Sequence, residues 1–282
     1  MLGLLHRCGR GLHFLAHVGR TEKMHALSSV ARETFALRWR PSGDTAVALL
    51  TAVLMVGLYY ANTRAAQGSV FSLVVFVILT NGVLNVLFPA YYVLVLRREG
   101  LDQLGITKRW WWLALLLSAV VSVLTWPQLQ DAVAQHPGTD LLPLLLANGL
   151  ILWEPFFVYG WLQLRFERAF GIIPGIGLAA VCFGAYHIGT FPLSGVGSLV
   201  LIGVFFGVLF RVSGGNLLAL WPLTWAVTSS IGVLEGGFGF GWSDVATYAL
   251  LLIVQVVAIA LMARHTDDRP SSRARRRSIR TA

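Results

Sequence analysis

Long apolar stretches constrain this chain more than any other feature. Eight can be read, at Thr45 to Asn62, Val70 to Leu96, Trp110 to Trp126, Leu141 to Leu164, Gly177 to Leu193, Leu199 to Phe210, Asn216 to Leu234 and Val245 to Met262. A helix needs about 20 mainly apolar residues to cross a hydrocarbon core about 30 Å thick, and most of these stretches approach or exceed that length. The sixth is short and glycine-rich, so its start is expected upstream, near Pro192. Hydrophobic residues make up 56% of the chain and charged residues 12%, against roughly 25% charged in a soluble domain. A soluble globular fold is therefore excluded, and the expectation is an all-α polytopic membrane bundle of eight transmembrane helices.

The formal net charge of +9 is distributed in a pattern. Lys and Arg collect before the first stretch, after the second (Arg97, Arg98, Lys108, Arg109), after the fourth (Arg165, Arg168), after the sixth (Arg211) and beyond the eighth, with only Arg64 on the other side. The opposite loops, 127–140 and 235–244, carry acids and no Lys or Arg. Basic residues in alternate loops mark the cytoplasmic side, which puts both termini there and assigns the charge to membrane orientation, with no nucleic-acid partner. The expected location is the plasma membrane, and the use of Arg over Lys points to a bacterial inner membrane.

Three segments follow. Residues 1–43 form a basic region in which Leu5, Cys8, Leu12 and Leu15 would line one helical stripe beside Arg7, Arg10 and Arg20, the pattern of an interfacial helix on anionic lipid. Glycines and arginines interrupt any signal-peptide core there. His6, His13 and His17 lie near one another, but no carboxylate or thiolate completes a metal set. Residues 44–264 are the transmembrane domain, and 265–282 a polybasic tail too poor in apolar residues to fold. Cys8 and Cys182 lie in different environments and read as free thiols.

Glu154 and His187 carry the chemistry. They are the ionisable side chains set deep within apolar segments, in W-E-P-F-F-V-Y-G-W-L-Q and C-F-G-A-Y-H-I-G, and such residues in a membrane mark function because burying them is costly. If the fourth span ends near Leu164 and the fifth begins near Gly177, each lies about 15 Å from the same face, level with Ala226 on the seventh. A Glu and a His in contact can position and deprotonate a water, the general-base half of peptide hydrolysis. They can equally tie two helices together by a hydrogen bond worth about 1 kcal/mol in a bilayer, and residue types alone favour that plainer reading.

The ordered set of Glu154 with Gly160-Trp161-Leu162-Gln163, Phe183 with His187, and Gly215-Asn216-Leu217 running to Trp221-Pro222 resembles the CPBP family of intramembrane proteases. That family includes the CAAX-processing endopeptidases and the bacteriocin-related Abi proteins, with motifs E-E-x-x-x-R, F-x-x-x-H and H-x-x-x-N on successive helices. The resemblance covers roughly residues 140–235. It implies a slit-like or conical cavity opening toward the cytoplasm, and an endopeptidase in which Glu154 is the base and His187 its partner. Departures accompany the matches. Pro155 stands at the second Glu, Tyr159 at the Arg, and the third motif offers Ala226 and Ser230, or Trp225 and Ser229. The family's third motif is thought to bind metal or stabilise the oxyanion, which Ala and Trp cannot do.

The expectation is accordingly a CPBP-like protein with reduced or lost peptidase activity that binds a membrane-protein partner or membrane-anchored peptide in the lipid bilayer. The alternative is an active, divergent endopeptidase with Tyr159 or Ser230 as oxyanion donor. Glu154, His187 and Tyr159 are the candidate catalytic residues; Phe183, Asn81, Asn85 and Ser230 are the candidates for the substrate cavity. No cofactor is expected, because a zinc ion would find an incomplete ligand set. Asn81, Asn85, Asn148, Thr224, Thr228 and Ser229 have a plainer role open to them, in bonds between helices or back to their own carbonyls.

Overall fold

The protein is described by a computed structural model covering residues 34–65, 69–135, 141–234 and 241–267. The histidines near the amino terminus, Cys8 and the polybasic tail fall outside these residues. Ten helices of ten residues or more are defined within them, with short 3-10 helices at Leu101–Leu104 and Leu217–Ala219, and no β-strand is present among the described residues beyond an isolated bridge between Ile188 and Phe191.

Helix α1 is Gly43–Thr63. Its start is fixed locally, since the Ser42 backbone N–H donates to Thr45 Oγ1 at 3.1 Å and Asp44 in the first turn complements the helix dipole. Helix α2, Val70–Leu96, is wound largely as π-helix, over Leu73–Leu87 and Tyr91–Leu96. Within it the Thr80 hydroxyl donates to the Val75 carbonyl at 2.6 Å, five residues back. Asn81, Gly82 and Asn85 all sit in the first wide-wound stretch and all are buried.

Helices α3 (Trp111–Val123) and α4 (Trp126–Gln135) are bent by 48° at their junction. Residues 127–135 were expected as a loop. They are helical because Pro127 falls in the first turn, where a missing N–H costs nothing, and because Leu129 and Val133, one turn apart, pack against Leu144. Helix α5 is Leu141–Leu150, and α6 (residues 153–170) continues it after a two-residue break, with a π-wound centre at Phe156–Gln163 that is wholly buried. The break is covered by α9: Trp221 Nε1 donates to the Gly149 carbonyl at 3.0 Å and Trp225 Nε1 to that of Leu145 at 2.8 Å.

Gly171, at φ +99°, turns the chain from α6 into α7 (Ile172–Ala185). Helix α8 is Leu193–Val212, α9 Trp221–Leu234 and α10 Trp242–Asp267. Small residues let α7 and α8 approach closely. A Cβ at Gly184 would meet Val200, and one at Gly203 would meet Ala180. The core gathers around α6, with Trp153, Phe156, Phe157, Tyr159 and Trp161 packed among Tyr59, Phe183, Tyr186, Phe206 and Phe210.

Outside that core the helices face outward with apolar side chains such as Leu50, Val53, Leu201, Val254 and Val257, all at least 48% exposed. A surface of that kind belongs in lipid, and the protein is a membrane-embedded, all-α bundle. Five helical segments among the described residues are long and apolar enough to cross a membrane: Gly43–Thr63, Val70–Leu96, Leu141–Phe170, Leu193–Val212 and Trp242–His265. The bent pair α3 and α4 makes a sixth if taken as one span. The fifth and seventh expected spans are 14-residue helices, α7 and α9, about 21 Å long each.

Candidate functional site

Glu154 lies in the first turn of α6, just past the break at Ile151 and Leu152. Because α6 runs on to Phe170, Glu154 is about 24 Å from its end, deeper than an end near Leu164 would place it. It borders a small pocket lined by Asn148, Ile151, Glu154, Pro155, Thr224 and Thr228. Free room there amounts to about one water molecule, so this is no open cleft that would seat a peptide. The threonines, one helical turn apart on α9, take the place expected for Ala226 with Ser230 or for Trp225 with Ser229.

His187 falls beyond the last residue of α7, in the reversal that leads to α8. The expected fifth span through Leu193 is therefore interrupted at Ala185. Its Nδ1–H donates to the Phe183 carbonyl at 2.8 Å, and its ring is enclosed by Tyr186 (centroids 4.0 Å apart), Phe183 (5.3 Å) and Phe191 (5.5 Å). The F-x-x-x-H spacing acquires a local meaning here, since Phe183 supplies both the acceptor and an aromatic wall. Gly189 at φ +96° completes the reversal and packs against Tyr60 and Thr63 at the end of α1.

No hydrogen bond or ion pair joins Glu154 to His187, so the expected direct meeting of acid and imidazole does not occur. Tyr186 touches both. Its ring stacks on His187, and its buried hydroxyl interacts with the Glu154 carboxyl without meeting hydrogen-bond geometry to any described residue. Two further buried tyrosines, Tyr59 and Tyr159, interact electrostatically with Glu154. Glu154 has no Lys or Arg within ion-pair distance among the described residues. It is an acid set among phenols.

The other candidates divide. The Tyr159 hydroxyl is directed at α8 and donates to the Gly203 carbonyl at 3.4 Å. Asn81 joins the phenol cluster, its Oδ1 accepting from the Tyr59 hydroxyl at 2.8 Å and from Asn85 Nδ2 at 3.4 Å, while its backbone carbonyl accepts from Gln255 Nε2 at 3.0 Å. Ser230 is taken up by its own helix, its hydroxyl donating to the Ala226 carbonyl at 2.9 Å. Asn148 Nδ2 donates to Ser229 Oγ at 3.4 Å, tying the broken span to α9.

Sequence reasoning missed Tyr59 and Tyr186. The second adjoins His187 and ends an apolar helix, a signal available but ambiguous; the first carries none. Among the described residues no group of three His, Cys, Asp or Glu side chains is placed to hold a metal ion. The chain matches no known protein-family model, no curated protein and no solved structure.

Proposed function

We propose that this chain is a multi-pass membrane protein of the CPBP type whose peptidase chemistry has lapsed, and that it works by binding a membrane partner. The observation carrying this reading is that no hydrogen bond or ion pair joins Glu154 to His187. General-base chemistry requires the acid and its partner within about 3 Å, directly or through one water. Here Nδ1 of the imidazole donates to the Phe183 carbonyl inside an aromatic enclosure, and no bond from the ring reaches the Glu154 carboxyl. The two oxyanion donors expected from the sequence are engaged elsewhere, the hydroxyls of Tyr159 and Ser230 being given to carbonyls of Gly203 and Ala226. Loss of one such donor costs about 10²- to 10³-fold in rate.

The active-enzyme alternative has one observation in its favour, the water-sized pocket beside Glu154 with Asn148, Thr224 and Thr228 around it. A turnover assay separates the two. Purified protein in liposomes, offered membrane-anchored peptides, is expected to release no product; cleavage that disappears in Glu154→Gln overturns the binding reading. Affinity purification from native membranes is expected to bring down a membrane protein in stoichiometric amount.

The eight-crossing topology with cytoplasmic termini belongs to the same proposal. It rests on the basic residues at one end of the bundle, where Arg97, Arg165, Arg168 and Arg211 cluster with Asp44, Glu99 and Glu167. In right-side-out vesicles a cysteine at Lys108 should resist an impermeant maleimide and one at Ser243 should react. The reverse pattern would invert the orientation.

A further inference from the structure

The basic end of the bundle holds more guanidinium than its acids can satisfy. Arg165 is 1% exposed, with its Cζ 4.9 Å from the Trp161 ring centre. Its Nε, Nη1 and Nη2 are buried without a hydrogen-bond partner among the described residues. The carboxylate that approaches is that of Glu99, whose Oε2 lies 3.5 Å from Arg165 Nη2 and 3.5 Å from Arg168 Nη1, the outer limit of hydrogen bonding. One acid is thus shared at long range by two cations. Asp44, the other acid nearby, is already engaged by Arg97 and by the Tyr92 hydroxyl.

A guanidinium carries five N–H donors in a planar fork, and burying them unmet is costly. A phosphate group supplies the missing acceptors, in the bidentate geometry the fork favours. Arg168 is 42% exposed and Glu99 33% exposed, and Glu99 reaches both Arg168 and the buried Arg165. Glu99 belongs to the non-helical residues 98–100, next to Arg98 at φ 55°, so its side chain can swing aside without unwinding a helix.

We propose that Arg165 and Arg168 form a phosphate-binding site at the basic end of the bundle, covered by Glu99 until a phosphate group of a lipid headgroup or a free phosphate ion displaces it. This inference is independent of whether the Glu154 region retains any chemistry.

The test uses the full chain in nanodiscs of phosphatidylcholine, with and without a minor fraction of phosphatidic acid. Native mass spectrometry counts retained lipids, and the thermal midpoint is followed with inorganic phosphate against chloride at matched ionic strength. The expected result is preferential retention of phosphatidic acid, or a phosphate-dependent rise in midpoint. Arg168→Gln should weaken either effect about tenfold, the loss of one charge-assisted hydrogen bond, and Glu99→Gln should strengthen it. Lys108→Gln, the same charge change on another exposed residue of this end, should leave it unchanged. Both informative substitutions fall on partly exposed side chains, so folding does not decide the outcome. Phosphatidic acid acting alone identifies a headgroup site; inorganic phosphate acting equally well identifies a free-ion site. Indifference to both ligands, or equal weakening by Arg168→Gln and Lys108→Gln, overturns the proposal.

Discussion

The two ends of α6 treat charge in opposite ways. At its later end, Glu167 accepts from Gln163 Nε2 at 2.8 Å and lies 3.4 Å from Arg211, while Arg165 and Arg168 share Glu99. Residues 36–40 reinforce this end: the backbone N–H groups of Arg38 and Arg40 donate to the Phe170 and Ala169 carbonyls, and Trp39 rests on Phe170. At the earlier end Glu154 has no counter-ion among the described residues, only tyrosines, Asn148 and threonines around it. The difference separates ionic groups that join helices from an ionisable group held in place by neutral neighbours. The second arrangement suits a recognition or reaction site, because no cation among the described residues already neutralises the carboxyl.

The sharpest way to break this comparison is through the later end, where α6 and α7 touch most tightly. A Cβ at Gly175 would lie 2.6 Å from the Glu167 backbone nitrogen and 2.8 Å from its Cα, so Gly175→Ala must part the helices. The expected cost is about 3 kcal/mol, read as a lowered thermal midpoint in detergent. Gly177→Ala, on the same helix with nothing within 4 Å, should add about 0.5 kcal/mol of stability and so raise the midpoint. Equal effects would mean that α7 does not sit against Glu167 as described.

Next in size is the contrast between the two acids. Glu167→Ala leaves a buried Gln163 donor unmet and releases Arg211, for about 2 kcal/mol. The ion pair adds little to that, because Arg211 is 44% exposed. Glu154→Gln exchanges a carboxyl that no described cation holds for an amide of the same shape, so unfolding in denaturant should change by no more than about 1 kcal/mol. A large loss from Glu154→Gln would show that its charge is structural, and would remove the reason for treating it as a functional group.

Much of this architecture was legible in the apolar periodicity, and the five long helical segments fall where hydropathy alone places them. Hydropathy failed where a helix stops inside an apolar run. Nothing between Ala185 and Leu193 is polar enough to mark a break except His187 and Thr190, yet the chain turns there on Gly189. The site was legible in part: Glu154, His187 and Asn81 announce themselves by their cost in lipid, and Phe183 by its spacing to His187. Which residues face Glu154 was not, because the register of α9 on α5 is set by Trp221 and Trp225 reaching carbonyls at the break. Sequence patterns do not record such tertiary bonds. Tyr59 was invisible for the same reason, its role depending on Asn81 in a different helix.

The smallest effects distinguish the phenols themselves. Tyr59→Phe removes a 2.8 Å hydrogen bond to Asn81 and should cost about 0.6 kcal/mol, the average for such bonds between membrane helices. Tyr186→Phe removes a hydroxyl that meets no partner with hydrogen-bond geometry, so it should be neutral or slightly stabilising, since a buried polar group without a partner is a liability. Both are read by denaturant unfolding in micelles. A loss from Tyr186→Phe equal to that from Tyr59→Phe, vanishing when Glu154→Gln is already present, would be non-additivity of the kind only interacting groups produce. Glu154 and Tyr186 would then form a true hydrogen-bonded pair, and with His187 stacked on the same ring the acid and the imidazole would be coupled through the phenol after all.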